Sequence, residues 1–287
     1  MKELDLFGNP IIKDVILRDK FIEPPFSVLD TKSGNWQRRK RQWKKLGIKS
    51  ELGRDATTFN MDKWNTKVGN AALPPDTSVF DPALCEVIYH WFCPKNGSIL
   101  DPFAGGSVRG IVANYLNFKY TGIELRQEQV DSNREQGLDI LPITNQPNWY
   151  VGDSNKILNR FNKKFDFIFS CPPYGDLEKY SDLEDDISNM NYNQFYNIYK
   201  SIINKSCNLL KDNGFACFVV GEYRDKKGDY VGFVPDTIKA FQECGMKYYN
   251  EGILLNTIAS ASMRANGNMK SKKLVKVHQN ILIFKKN

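Results

Sequence analysis

The chain reads as an α/β protein built on an open, mainly parallel sheet, and three observations predict it. From residue 98 onward, short apolar runs alternate with helical patterns, the layout of a parallel sheet with crossover helices. The first run, Ser98-Ile-Leu-Asp101, passes through Pro102-Phe103-Ala104-Gly105-Gly106 into a helix from about Ser107. Such a strand–glycine turn–helix unit brings backbone N–H groups and a helix N-terminus up to a ligand, with Asp101 at the strand end. An acid, Glu124, ends the second run, Tyr120-Thr-Gly-Ile-Glu124. It falls about 20 residues after the glycine turn, the distance at which a carboxylate reaches ribose hydroxyls.

The elements follow in order. Residues 1–75 form a basic N-terminal extension, broken by Pro24-Pro25 and closed by Pro74-Pro75. Residues 76–287 form the α/β domain. A helix over 81–92 carries Pro82 in its first turn. Strands are expected at 98–100, 120–123, 148–151, 165–170, 215–220, 252–256 and 279–284, which makes a seven-stranded sheet. Helices are expected at 107–117, 126–136, 154–160, 191–211 and 235–244, with Gly214 and Gly245 as helix stops. Two stretches read as long loops, an acidic one at 175–190 and a small, polar, basic one at 257–276.

Composition excludes several classes. The glycine turn lacks the G-x-G-x-x-G spacing and no Lys-Ser/Thr follows it, so neither a dinucleotide fingerprint nor a P-loop is present. Two histidines and six cysteines without a C-x-x-C pair speak against a metal site. The cysteine usage fits a reducing, cytoplasmic compartment. Neither a signal peptide nor an apolar run of membrane-spanning length is visible, so no membrane partner is expected.

The 287 residues carry a net charge of only +7, so where the charge sits matters more than its sum. It sits at 31–54, which hold nine basic residues and one acid, Glu51. Trp36 and Trp43 interleave with them at helical spacing. Clustered Arg38, Arg39, Lys40, Arg41, Lys44 and Lys45 with aromatics suit phosphate contacts. The alternative is a solvated basic helix pinned to the body by its two tryptophans.

The fourth strand, Phe165-Asp-Phe-Ile-Phe-Ser170, runs into Cys171-Pro172-Pro173-Tyr174. Two prolines stiffen this backbone. Asp153, in Tyr150-Val-Gly-Asp-Ser154, ends the third strand and reads either as an adenine contact or as a helix cap.

The Asp101-Pro-Phe-Ala-Gly-Gly106 and Cys171-Pro-Pro-Tyr174 segments together resemble the class I, S-adenosylmethionine-dependent DNA methyltransferases that act on exocyclic amines. Ser78-Val-Phe-Asp-Pro82 resembles that family's outer cofactor motif. Phe26 to Trp36, and onward to Glu51-Leu-Gly-Arg54, resembles the N-terminus of phage-borne DNA methylases. The resemblance implies a Rossmann-like fold and transfer of a methyl group to adenine N6 or cytosine N4 in duplex DNA, in a bacterial or phage-infected cell. It implies S-adenosylmethionine across Asp101, Phe103, Ala104, Gly105, Gly106, Glu124 and Asp153. It makes Tyr174 the ring that stacks on a base flipped out of the duplex, and the Pro172 carbonyl the acceptor for its amine.

This chain departs from the family at Cys171, where the usual residue is Asp, Asn or Ser and a thiol is a weak acceptor. Ser170, one residue earlier, and Asp176, just behind Tyr174, are the candidates to take over that role. Lys276-Val-His278-Gln279 resembles a family run with Gln279 in place of Glu. Other readings stay open: an RNA amine methyltransferase, or a non-catalytic nucleic-acid-binding protein with this fold. A cytosine C5 enzyme would use a thiolate in Pro-Cys order, whereas the order here is Cys-Pro-Pro.

Overall fold

Every central strand alternates its side chains between two apolar layers, and this sets the architecture. Ile99, Phe167, Phe169, Cys217, Val219, Ile281 and Ile283 join one buried cluster. Their neighbours Leu100, Ile168, Ala216, Phe218, Leu282 and Phe284 join the other. A sheet covered on both faces needs near-continuous apolar strands, as these are.

A computed structural model describes residues 17–48, 80–174, 187–256, 258 and 261–287. In chain order these form α1 (Leu17–Phe21), β1 (Val28–Asp30), α2 (Gly34–Lys45), α3 (Pro82–Phe92), β2 (Ser98–Asp101), α4 (Val108–Tyr115), β3 (Lys119–Glu124), α5 (Gln127–Ile140), β4 (Asn148–Val151), α6 (Ser154–Ile157), β5 (Phe165–Ser170), α7 (Tyr192–Leu209), β6 (Leu210–Val220), α8 (Phe233–Glu243), β7 (Lys247–Leu255), α9 (Ala261–Lys270) and β8 (His278–Lys285). The sheet has eight strands in the order β1-β7-β8-β6-β5-β2-β3-β4. All pairings are parallel except those of β8, which runs antiparallel to β6 and β7. Asp101, Glu124, Val151, Ser170, Val220 and Leu255 therefore end on one edge. His278 opposes Leu255, so β8 starts there.

Three expectations need correction. The sheet has eight strands, not seven, because Val28–Asp30 pairs with Ile253–Leu255. The described part of the N-terminal extension is thus built into the fold, and Leu29, Trp36 and Trp43 lie in the same cluster as α3. Gly214 does not stop α7, which ends at Leu209. Pairing of β6 with β5 instead jumps from Phe165↔Leu210 to Phe167↔Phe215, and Asn213 takes the left-handed turn at φ 61°. Finally, residues 261–270 are helical rather than loop. Gly245 does follow α8 in the left-handed conformation, at φ 86°.

Candidate active site

The site begins with what holds the glycine turn. Asp101 is fully buried and each of its oxygens takes two hydrogen bonds. Oδ2 accepts from Arg109 Nε at 2.6 Å and Tyr120 OH at 2.7 Å. Oδ1 accepts from Ser170 Oγ at 2.6 Å and the Phe103 amide at 3.1 Å. Four bonds use up the acceptor capacity of a carboxylate.

Arg109, the second residue of α4, also donates through Nη2 to the carbonyls of Phe103 at 2.5 Å and Ala104 at 2.8 Å. Burial works against its charge, but the Asp101 carboxylate outweighs burial and holds its pKa above the ordinary arginine value. Burial, then Asp101, pushes the Tyr120 phenol up, so it stays a donor. The Phe80 ring covers the guanidinium at 4.7 Å.

Above this buried base the turn is shaped by two glycines. Gly105 has φ 53°, a conformation side chains resist. An added Cβ there would meet nothing within 4 Å, so the turn opens onto free space. Gly122, on β3, lies under the turn. A Cβ there would come within 2.8 Å of Ala104 Cβ and of Tyr120 OH. Glu124 stitches the β3 end to the turn, with Oε2 accepting from the Gly105 amide at 3.1 Å and Oε1 from the Arg126 amide at 3.1 Å. Ser154 Oγ reaches the Pro102 carbonyl from the start of α6.

The expected cofactor residues therefore divide. Gly105, Gly106 and Glu124 share one rim. Asp101 is a correction: sealed below the turn, it supports the site rather than contacting a ligand. Ala104 is buried, and Phe103 packs on Tyr199 at 5.8 Å and Phe218 at 6.3 Å in the core below. Asp153 caps α6, its Oδ1 accepting from the Asn155 amide at 2.8 Å. Asp81, of the outer motif, caps α3 and accepts from Trp36 Nε1 and Lys40 Nζ, both at 3.1 Å. Ser78 and Val79 lie outside the described residues.

The second half of the site lies at the end of β5. Ser170 is buried with its hydroxyl turned down to Asp101, so it does not stand in for Cys171 as an acceptor; this too is a correction. Pro172 is buried, while Cys171, Pro173 and Tyr174 are half-buried. Tyr174 is fixed by three neighbours. Its hydroxyl accepts from Gln279 Nε2 at 2.8 Å. Its ring stacks on Tyr223 with centroids 6.4 Å apart and meets Phe233 edge-on at 5.6 Å. Gly221 lies beneath it, where an added Cβ would sit 3.7 Å from the hydroxyl. Asp176, Glu178, Asp182, Glu184, Asp185 and Asp186 lie outside the described residues.

Sequence reading missed Arg109, Tyr120, Tyr223 and Phe233. Arg109 left a signal: a lone charge inside the apolar stretch Val108-Arg-Gly-Ile-Val-Ala113 needs a buried partner.

The helix α2 buries Asn35, Trp36 and Trp43 against the body and pairs two of its cations there, while Arg38 is exposed. Arg39 pairs with Glu86 on α3 through Nη2 at 2.6 Å and Nε at 3.2 Å. Trp43 donates to the same carboxylate at 2.9 Å. Lys40 pairs with Asp81 and Arg38 donates to Asn35 at 2.5 Å. Arg41, Lys44 and Lys45 are exposed, but Lys44 and Lys45 close the last turn, where positive charge suits the helix dipole. The Trp43 ring packs on Tyr115 at 5.1 Å, at the end of α4 farthest from the glycine turn.

A twisted sheet with one antiparallel strand, a glycine turn after β2 and a carboxylate at the end of β3 define a class I, S-adenosylmethionine-dependent methyltransferase. Residues 90–228, which contain both the turn and Cys171–Tyr174, match the Eco57I restriction-modification methylase family model, which supports a class I methyltransferase of DNA-methylase type. The residues fit the cofactor: open space over Gly105 beside an acceptor, Glu124, suits a nucleoside. Solved structures with similar folds include magnesium protoporphyrin IX methyltransferase (ChlM) from Synechocystis PCC 6803 with bound SAM. It is 12% identical, covers 80% of this chain and 92% of that one, and has a TM-score of 0.48. TrmN from Thermus thermophilus is 13% identical with a TM-score of 0.48, and the match takes in 72% of this chain but only 49% of TrmN. TehB from Haemophilus influenzae is 12% identical over 79% of this chain and 66% of that one, at a TM-score of 0.45. No curated protein matches the chain. Among the described residues, no helix is long and apolar enough to cross a membrane.

Proposed function

We propose that the chain transfers a methyl group from S-adenosylmethionine to the exocyclic amine of adenine or cytosine in duplex DNA, the target base being flipped out of the helix. The observation that carries this reading is Tyr174. It follows a Cys-Pro-Pro segment whose root, Ser170, is hydrogen-bonded to the carboxylate under the glycine turn, so the base platform and the cofactor turn share one support.

The bound cofactor supplies an electrophilic methyl group. The chain's residues do the rest by placement and electrostatics. Glu124 would accept from the ribose hydroxyls and the open turn at Gly105 and Gly106 would admit the cofactor, with Asp153 near the adenine. Tyr174 stacks on the base. The Pro172 carbonyl accepts a hydrogen bond from the amine, with Pro173 keeping the backbone rigid, and Asp176 does the same where the Cys171 thiol is a poor acceptor. With the cofactor bound, these acceptors would hold the amine toward the methyl group it supplies, and the proton the amine loses would pass to solvent water.

The test is transfer of a labelled methyl group to matched duplex DNA, single-stranded DNA and RNA, followed by nucleoside analysis. N6-methyladenine or N4-methylcytosine from the duplex is expected. Label confined to RNA moves the reading to an RNA amine methyltransferase. Label at cytosine C5 restores the thiolate mechanism. Cofactor binding without any transfer leaves a non-catalytic nucleic-acid-binding protein.

A further inference from the structure

We infer that the phosphates of the substrate are held by a basic rim made of the β6–α8 turn and the α9–β8 segment, and not by α2. This rests on the reading of the chain as a DNA amine methyltransferase.

Both segments carry or lead into a residue that holds Tyr174. The β6–α8 turn carries Tyr223, which stacks on Tyr174, and the α9–β8 segment leads straight into Gln279, which holds the Tyr174 hydroxyl. They also meet each other. Arg224 Nη1 donates to the Gly228 carbonyl at 2.9 Å, and its guanidinium lies 4.0 Å over the Tyr230 ring. Lys273 reaches the same point from the other segment: a Cβ built on Gly228 would lie 1.7 Å from Lys273 Nζ.

Of the turn's three carboxylates, Asp229 is exposed, Glu222 accepts from the Gly232 and Val234 amides, and Asp225 builds the tip. Asp225 Oδ1 accepts from the amides of Lys227, Gly228 and Asp229 at 2.9, 2.8 and 3.0 Å. That leaves Lys226 and Lys227 exposed at the tip. Residues 252–287 contain no Asp or Glu and seven Lys or Arg, with Arg264, Lys270 and Lys272 exposed. The turn balances Arg224, Lys226 and Lys227 against Glu222, Asp225 and Asp229, so the net positive charge comes from the acid-free segment that leads into Gln279, and it fits a polyanion whose phosphates lie beside the bound base. Tyr230, 51% exposed under Arg224, adds a ring at the same rim.

α2 offers the opposite picture. Two of its cations are paired with carboxylates of α3 or its cap, and Lys44 and Lys45 lie at the end that packs toward Tyr115, a helix length away from the glycine turn.

Exposed Met263, Met269 and Leu274 lie among the lysines of the rim, so an anionic lipid surface is the competing partner. The experiment compares two charge-neutralised variants of the full chain. One carries K226Q, K227Q, K270Q and K272Q; the other carries R41Q, K44Q and K45Q. Duplex affinity is measured against salt, and S-adenosylmethionine affinity by calorimetry reports an intact fold. In the rim variant the slope of log affinity against log salt should flatten by roughly 0.9 for each phosphate no longer neutralised, with cofactor affinity unchanged. The α2 variant should keep the parent slope. K226Q and K270Q made singly should each flatten the slope in the same direction, which guards against misfolding of the fourfold change. A rim variant with the parent slope beside a flattened α2 variant overturns the inference and leaves the DNA reading standing. A parent chain that methylates no DNA overturns both. Binding to vesicles of anionic lipid, lost in the rim variant while duplex binding persists, assigns the rim to a membrane and overturns the inference.

Discussion

Replacing Asp101 by Asn tests whether this carboxylate supports the site or touches the cofactor. Its side chain has 0% exposure and that of Arg109 has 6%. The substitution removes the charge that balances a buried guanidinium. It also turns an amide donor toward partners that are themselves donors, Ser170 Oγ with the Phe103 amide or Tyr120 OH with Arg109 Nε. Breaking one half of a buried pair costs about 3–5 kcal/mol. Against a total stability of about 5–15 kcal/mol, that is a large fraction. Urea unfolding of Asp101→Asn should show that loss in the midpoint with the slope unchanged. Adding Arg109→Met to the same chain should recover part of it, because the unpaired charge is then gone. Cofactor affinity, measured below the unfolding transition, should fall only as far as the turn loosens. A variant with parental stability and abolished cofactor binding would refute the account and make Asp101 a ligand.

Four further outcomes follow. Glu124→Ala should weaken S-adenosylmethionine by about 1–3 kcal/mol in calorimetry, and Glu124→Gln by less, since the amide oxygen can still accept from Gly105; equal affinities would remove Glu124 from the site. Tyr174→Phe should keep most turnover because the ring stack survives, whereas Tyr174→Ala should lose it with cofactor binding intact, as steady-state kinetics will report. Cys171→Ser should be tolerated or mildly activating while Asp176→Asn lowers turnover by roughly a hundredfold; the reverse pattern would make the thiol the essential group. Burial, then Lys276, hold the His278 pKa below its ordinary 6.5, against a weaker pull from Glu251. Between 6.5 and that lower folded value the unfolded chain binds more protons, so stability falls as pH drops through the window. His278→Gln should flatten that part of a stability–pH curve, and an unchanged curve would count against it.

The central strands were legible because both faces of the sheet are covered, which leaves unbroken apolar runs such as Phe165–Ser170 and Phe215–Val220. β1 was not: three residues with only Leu29 buried carry no period. α9 escaped because Ala261–Lys270 buries only Ala261 and so shows no apolar stripe. Lys211-Asp-Asn-Gly214 looked like a helix end since its turn chemistry is the same whether a helix or a strand bulge follows. In the site, strand-end positions pointed to the ligand edge. What the strand ends do there depends on partners distant in sequence, and Asp101 meets Ser170 across 69 positions. In the basic run from Arg38 to Lys45 the pairing was hidden for a related reason, because the carboxylates that claim Arg39 and Lys40 belong to Glu86 and Asp81.

The edge strand β1 also sets an order of assembly on the ribosome. Thr31 Oγ1 donates to the Leu255 carbonyl across 224 positions, so the first strand to be synthesised must wait for the seventh. Its neighbour α2 has no such wait: Asp81 and Glu86 follow it closely enough for the tryptophans to dock while the sheet is still incomplete. The emerging chain thus carries a short unpaired strand tethered to a docked helix until β7 is made, a long-range closure of the kind that slows folding. Chains cut short before Ile253 would keep this strand exposed at the edge of an unfinished sheet, open to pairing with another copy.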